Sequence, residues 1–378
     1  MKLNKLTLLV FAIATLIFAN CSKNDDSSIE TNAKFDLGKP VNRAFKGIVV
    51  DQYNNALANV SVKINDKTAT TDANGVFTYS NIQVLERFAY FTSTKVGFID
   101  GSRTLMTHEG LNSLKIMMLP ETVVATIASG TTKLVALPNG VKVTFDGSFM
   151  KLDGSSYNGN VKVVMNHLDT ADKNVFDKMP GTLLALNSQG EYKGLETYGM
   201  INVELRGINN EKLQIATGHK ANIELPIAAN QLDTAPSRIP LWHFDEIAGI
   251  WKEEGFSTRV GSVYKGVVSH FSWWNNDDAY VVATLNVTVK NDDGTPVNNV
   301  RITINRFAGS TGDVLMDLGV TNSNGTLSSP IPINEPLVFK AYDPINGSLL
   351  DVRPLASSNA LIRNEVLIIG SINRPGRN

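Results

Sequence analysis

The chain has 378 residues, a formal net charge of −1, 43% hydrophobic residues and a single cysteine. Near-neutral charge argues against a protein that holds nucleic acid or an anionic surface by electrostatics. One thiol cannot make an intramolecular disulfide, so the domains must hold together by burial, and the length suits two or three of them.

In chain order, residues 1–20 read as an export signal: Lys2 and Lys5 give a positive start, and Leu6 to Phe18 is almost unbroken apolar sequence. That run is shorter than the roughly twenty residues that span a bilayer. The small Ala19 precedes Cys21, and the whole resembles a bacterial lipoprotein signal, in which the cysteine becomes the acylated N-terminus. The alternative is an uncleaved N-terminal anchor with an idle thiol. Loss of Lys2 and Lys5 on cleavage takes the net charge to −3. Residues 21–44 are expected to form a lipidated flexible tether, being polar and poor in aromatics through about Asp36. Within it, Ser22-Lys23-Asn24-Asp25-Asp26-Ser27-Ser28 resembles the acidic surface-export tract of Bacteroidota lipoproteins. That resemblance implies a protein lipid-anchored in the outer membrane and exposed at the cell surface.

Two segments repeat each other. Val49 matches Val289, Leu57 matches Val297, and "NVSVKIN" at 59–65 matches "NVRITIN" at 299–305. After a longer loop, "TDANG" at 71–75 matches "TNSNG" at 321–325. Within each copy the apolar residues alternate, as Val60, Val62, Ile64 and Val300, Ile302, Ile304, which is the period of a strand with one buried face. Clusters of Asn, Asp and Gly supply the turns, because these residues tolerate positive φ. Gly47, Val49, Asp51, Leu57, Val60, Val62, Thr71, Asp72, Gly75 and Phe77 carry a pattern that resembles the carboxypeptidase regulatory-like domain, a small prealbumin-like β-sandwich. The resemblance implies scaffold, spacer or recognition modules without a catalytic role, at 45–120 and again at 282–372.

Residues 121–280 are expected to form a central β-rich domain with few helices. "LPNGVKVTFDGSFMKLDGSSYNGNVKVVMNHLD" resembles the start of a ZU5-type sandwich. "SRIPLWHFDEIAGIWKEEG" is similar to a segment of the astroprincin and cartilage intermediate layer protein ectodomains. The predicted architecture is therefore all-β, with tandem sandwiches of prealbumin-like or Ig-like type.

All four tryptophans lie between positions 242 and 274. Trp242 and Trp251 fit a hairpin that turns near Ala248-Gly249, its aromatics filling a sandwich core. They also fit a platform on which sugar rings stack. If 267–274 is one strand, Val267, Phe271 and Trp273 share one face and His270 and Trp274 the other. Trp274 is then partly exposed near the third module and is the first candidate for a binding residue.

The five histidines are scattered with no zinc spacing, and Ser269 next to His270 should face the opposite side of a strand. No GxSxG elbow, dinucleotide fingerprint or phosphate loop is present, and acylation of Cys21 would remove thiol chemistry. No catalytic residue or cofactor is expected. Acid clusters at 169–177, 275–278 and 291–294 are oxygen-rich loops of a kind that can hold calcium; Asx-turns explain "NDDG" at 291–294 and "TDANG" at 71–75 without a metal, and Asp277 and Asp278 are the better calcium candidates. "DTA" at 169–171 and 233–235 resembles the O-glycosylation site of exported Bacteroidota proteins, which implies glycans on Thr170 and Thr234 in exposed loops.

Together these features point to a non-enzymatic envelope lipoprotein for adhesion or recognition, of a glycan or of an envelope protein. The alternatives are a structural part of an outer-membrane complex and a cryptic hydrolase in the central domain.

Overall fold

The computed structural model describes residues 35–306, 316–343 and 346–369. The export signal and Cys21 lie outside them, as do residues 370–372 at the expected end of the third module. Within the described residues the fold is all-β. Its only helical elements are the four-residue α-helix Val175–Lys178 and the 3-10 turn Ala229–Gln231.

The first sandwich sets a three-stranded sheet against a four-stranded one. In the first sheet, Pro40–Asp51 lies between the antiparallel Val76–Leu85 and the parallel Leu111–Met118. The second runs Lys67–Thr70, Ser61–Ile64, Ala89–Thr94, Gly101–Leu105. Alternation does what the sequence suggests. Val60, Val62, Ile64, Phe77 and Phe91 face inward with Phe45 and Val49 to make one core.

The second copy repeats this strand order. The segment from Val282 to Asn291 lies between the antiparallel Thr326–Pro332 and the parallel Ile362–Ile369. Its opposing sheet runs Met316–Val320, Arg301–Arg306, Leu337–Tyr342, Leu349–Leu355. The aligned threonines have the same task in both copies. Thr71 Oγ1 accepts from Val60 N (2.9 Å) and donates to the Leu57 carbonyl (2.6 Å). Thr321 Oγ1 accepts from Val300 N (3.0 Å) and donates to the Val297 carbonyl (2.8 Å). The aligned glycines are equally constrained. Gly75 (φ +73°) and Gly325 (φ +70°) sit in the left-handed region, and a Cβ would come within 2.5 Å and 2.4 Å of the Val49 and Val289 carbonyl oxygens. Only glycine fits both demands.

Between the copies the chain forms one large, curled sheet with a core on each side. One core gathers Val143, Phe145, Val163, Ile223 and Trp274. The other gathers Trp242, Phe244, Trp251 and Trp273 with the helix residue Val175, and with Ile99 and Leu119 from the first sandwich. The strand Trp273–Asn291 is 19 residues long. Its first part pairs with Tyr192–Arg206 and Arg238–Asp245 of the central sheet, and its second part is the middle strand of the C-terminal sandwich. That junction is continuous β-ladder.

The N-terminal sandwich joins the central sheet through side chains. Tyr90 donates to the Glu246 carbonyl (2.9 Å), and its ring occupies the place where a Cβ of Gly249 would be. Thr104 donates to the Gly249 carbonyl (2.9 Å). The Arg103 guanidinium donates to the carbonyls of Phe176 (2.7 Å) and Asp177 (2.6 Å), satisfying the end of the short helix.

Candidate functional site: a cleft framed by sheet edges

A cleft of about 410 Å³ opens where the two sandwiches and the central domain meet. Arg103–Met106 and Asn112–Lys115 line one wall, Leu318–Val320 and Leu327–Pro330 the other, and Phe176, Met179 and Leu184 the floor. The wall segments belong to four strands: Gly101–Leu105, Leu111–Met118, Met316–Val320 and Thr326–Pro332. Each lies at the edge of its sheet, with one ladder neighbour among the described residues. Such an edge presents backbone donors and acceptors to whatever approaches, and proteins normally cover or blunt it.

The cleft's polar groups are organised. Lys115 pairs with Asp177 across the first wall and the floor (2.5 Å). Burial, with the Arg43 charge adding, pushes His108 down to about 4, so it is neutral at ordinary pH. The walls touch at one end, where Asn322 and Asn324 donate to the Glu109 carbonyl (3.3 and 3.4 Å). Apolar side chains and sheet edges make most of the surface. An arrangement of this kind suits an extended chain that adds backbone hydrogen bonds and seats alternate side chains.

The residues singled out from sequence lie elsewhere. Trp242, Trp251 and Trp274 are all buried, Trp274 at 0% exposure, so none offers a ring face to a sugar. Partial exposure of Trp274 was expected from strand parity through 267–274, and this is corrected. The strand Val263–Val268 ends within that segment, and the chain bends at 269–272 before the strand Trp273–Asn291 begins. Trp273 and Trp274 do take opposite faces, but the central sheet carries a core on each side, so both rings are buried, while Val267 is half exposed.

Asp277 and Asp278 are also corrected as a calcium pair. They are neighbours on one strand, with Asp277 fully buried and Asp278 exposed. Asn275 Nδ2 donates to the Asp277 carboxyl, and Thr197 donates to Asn275 (2.7 Å). Burial, helped by the Glu196 charge, holds the Asp277 carboxyl well above its ordinary 3.8, which favours the neutral acid that a cation would not choose. The other acid clusters form turns and ion pairs: Asp293 accepts from Thr295 N (2.9 Å), and Asp172 pairs with Lys178.

Thr234 is exposed, whereas Thr170 is half-buried and not in a fully exposed loop. The two "DTA" segments meet at Gln231, whose side-chain carbonyl accepts from Thr170 (2.6 Å) and whose main-chain carbonyl accepts from Thr234 (3.2 Å).

One constellation escaped the sequence reading. His243, Glu254 and His270 converge, with ligand-capable atoms all within 4.8 Å of one another. His270 Nε2 lies 3.1 Å and His243 Nε2 3.6 Å from the same Glu254 oxygen, and Ser269 Oγ donates to the other (2.9 Å). Ser269 and His270 therefore serve the same carboxylate, contrary to the opposite faces expected of a strand, because they lie in the bend. The carboxylate stands between serine and imidazole, so the imidazole does not activate the hydroxyl in the manner of a hydrolytic triad. The separations of 11 and 16 residues follow no motif. A signal did exist in the hairpin: a turn at 246–249 pairs His243 with Lys252 and puts Glu254 on the same face.

No family model matches this chain. Human cartilage intermediate layer protein 2 is 31% identical over 128 residues, which is 33% of this chain and 11% of that protein. Human cartilage intermediate layer protein 1 is 24% identical over 202 residues, 50% of this chain and 17% of that protein. The chain thus spans less than a fifth of the length of these curated relatives. Among solved structures, the major pilin subunit BcpA of Bacillus cereus covers 88% of this chain and 100% of its own at 10% identity and a TM-score of 0.19. The major pilin SpaD of Corynebacterium diphtheriae covers 90% and 99% at 8% identity and a TM-score of 0.20. The 3-chlorocatechol 1,2-dioxygenase of Rhodococcus opacus covers 23% and 63% at 15% identity and a TM-score of 0.18. Scores this low, spread over pilins and an enzyme, carry no inference about activity.

Proposed function

We propose that this chain is a non-catalytic protein of the cell envelope, held in the outer membrane through Cys21, that recognises an extended polypeptide in the cleft between its two sandwiches. The observation that carries this reading is the gathering of four sheet edges around one apolar-floored cleft. A strand-like segment would extend one or both walls by pairing with them, which is how exposed edges commonly recognise peptides. A polypeptide is favoured over a glycan because Trp242, Trp251 and Trp274, the rings considered for sugar stacking, are buried. The partial likeness to proteins named for cartilage is in keeping with a structural setting. Presentation at the cell surface is part of the proposal, and protease shaving of intact cells tests it.

The test of recognition is a photo-crosslinking residue at Ser113, on the cleft wall, introduced into the full chain in intact cells. A protease-sensitive adduct is expected there and absent when the probe sits at Ile247, an exposed position away from the cleft. The adduct should fall at least tenfold when Ser328 on the opposite wall becomes Arg. Equal labelling from both positions, or an adduct made of polysaccharide, would overturn polypeptide recognition at the cleft.

A further inference from the structure

We propose that His243, Glu254 and His270 form a binding site for one transition-metal dication of the zinc class. The cluster lies on the central sheet and is independent of the cleft. Zinc bonded at about 2.0–2.1 Å in tetrahedral geometry places its ligand atoms about 3.3 Å apart. The contacts of 3.1 Å and 3.6 Å from the two imidazole Nε2 atoms to the Glu254 oxygen bracket that spacing. Two imidazoles and one carboxylate suit zinc and its neighbours, whereas calcium and magnesium require more oxygen ligands than this place offers.

The surroundings fix the ligands. Ser269 Oγ binds one Glu254 oxygen and leaves the other toward the histidines. Trp274 lies against both imidazoles, with centroids 4.9 Å from His270 and 5.6 Å from His243, and its indole N–H donates to the His270 carbonyl (3.0 Å). Carboxylates and imidazoles held by such outer contacts make better ligands than mobile ones. Trp274 is thus a positioning residue for this cluster.

Both imidazole Nε2 atoms face the Glu254 oxygen that Ser269 leaves free. The nearby Asp245 and Lys252 are paired with each other (2.6 Å) and do not compete for the cluster. Three protein ligands leave a fourth position open, and Glu254 lies at the solvent side, so water or a donor from a partner completes the set. The metal would staple the hairpin of residues 238–260 to the bend at 269–272.

Calorimetric titration of the purified full chain with zinc chloride tests the proposal. One saturable equivalent is expected, with no heat of binding for calcium chloride. Glu254→Gln, which preserves the shape of an exposed side chain, should weaken zinc binding at least tenfold, and His243→Gln with His270→Gln should abolish it. Melting curves without metal check that each variant folds. His219→Ala removes a histidine paired with Asp146 elsewhere and should leave the stoichiometry unchanged. Absence of a saturable equivalent, or zinc affinity unchanged by Glu254→Gln, would overturn the proposal.

Discussion

The sandwich built from residues 40–118 and the one built from residues 282–369 share their strand order, their cross-linking threonine and their left-handed glycine. They differ in how they join the central sheet. The C-terminal copy grows from it along one strand, so rotating it would break a ladder of backbone hydrogen bonds. The N-terminal copy is docked by side chains: Tyr90, Arg103 and Thr104 through hydrogen bonds, and Ile99 and Leu119 in a shared core. One fold can therefore be fixed in a larger protein by covalent continuity of a sheet or by a few side chains seated in a complementary surface. Only the second kind of joint can be undone by a single substitution.

The largest expected effect comes from attacking that joint. Gly249→Val puts a branched side chain at φ +71°, where even a Cβ would lie 2.3 Å from the Tyr90 ring. Strain and overpacking together should cost about 3 kcal/mol or more. Urea unfolding is expected to split into two transitions, with the N-terminal sandwich released first. A single shifted transition would mean that the docking is not the weak joint.

Next come Thr71→Val and Thr321→Val. Each keeps the side-chain shape and removes a hydroxyl that serves a backbone N–H and a carbonyl. Each should cost about 1–3 kcal/mol, read from denaturation midpoints. Similar losses are expected in the two copies, and a large difference would show that the shared pattern hides unequal packing.

Arg103→Met should cost about 1–2 kcal/mol, because the carbonyls at the helix end lose a charged donor while the apolar stem keeps its packing. Faster proteolysis between residues 169 and 184 is the readout.

Asp277→Asn probes the continuous joint, and its effect lies in pH dependence. The folded-state pKa of Asp277 is raised above 3.8, so the folded protein holds a proton that the unfolded chain releases. The stability linked to that proton is fully present below about pH 3.8 and is lost as pH rises through the folded-state value. The asparagine variant should lack this decline and be the more stable form at neutral pH, as melting at pH 4 and pH 7 would reveal. Equal slopes for the two proteins would mean that the carboxyl ionises freely in the fold.

The repeated sandwiches were legible in sequence because their signals are local. Alternation at Val60, Val62, Ile64 and at Val300, Ile302, Ile304 marks the buried face, and "TDANG" and "TNSNG" carry their own turn chemistry. The hairpin of Trp242 and Trp251 left two readings open, a core and a sugar platform, and burial decides for the core. Trp274 was misplaced because strand parity was read with one face solvated, whereas the central sheet is covered by a core on each side, which no local pattern announces. The cleft was invisible because its walls come from segments more than 200 residues apart. The histidine–glutamate cluster was half visible in the hairpin pairing, but His270 arrives there only through tertiary folding.

Recognition in the cleft requires two sandwiches held at a fixed distance, so that the cleft exists before anything enters it. The direct measurement is the electron–electron distance between spin labels at Asp66→Cys and Ser348→Cys, in the full chain with Cys21→Ser. Both positions are exposed, one on each sandwich. A single narrow distance distribution is expected, and it should broaden when Gly249→Val is added. A broad distribution in the parent protein would contradict a preformed cleft and, with it, the proposed mode of recognition.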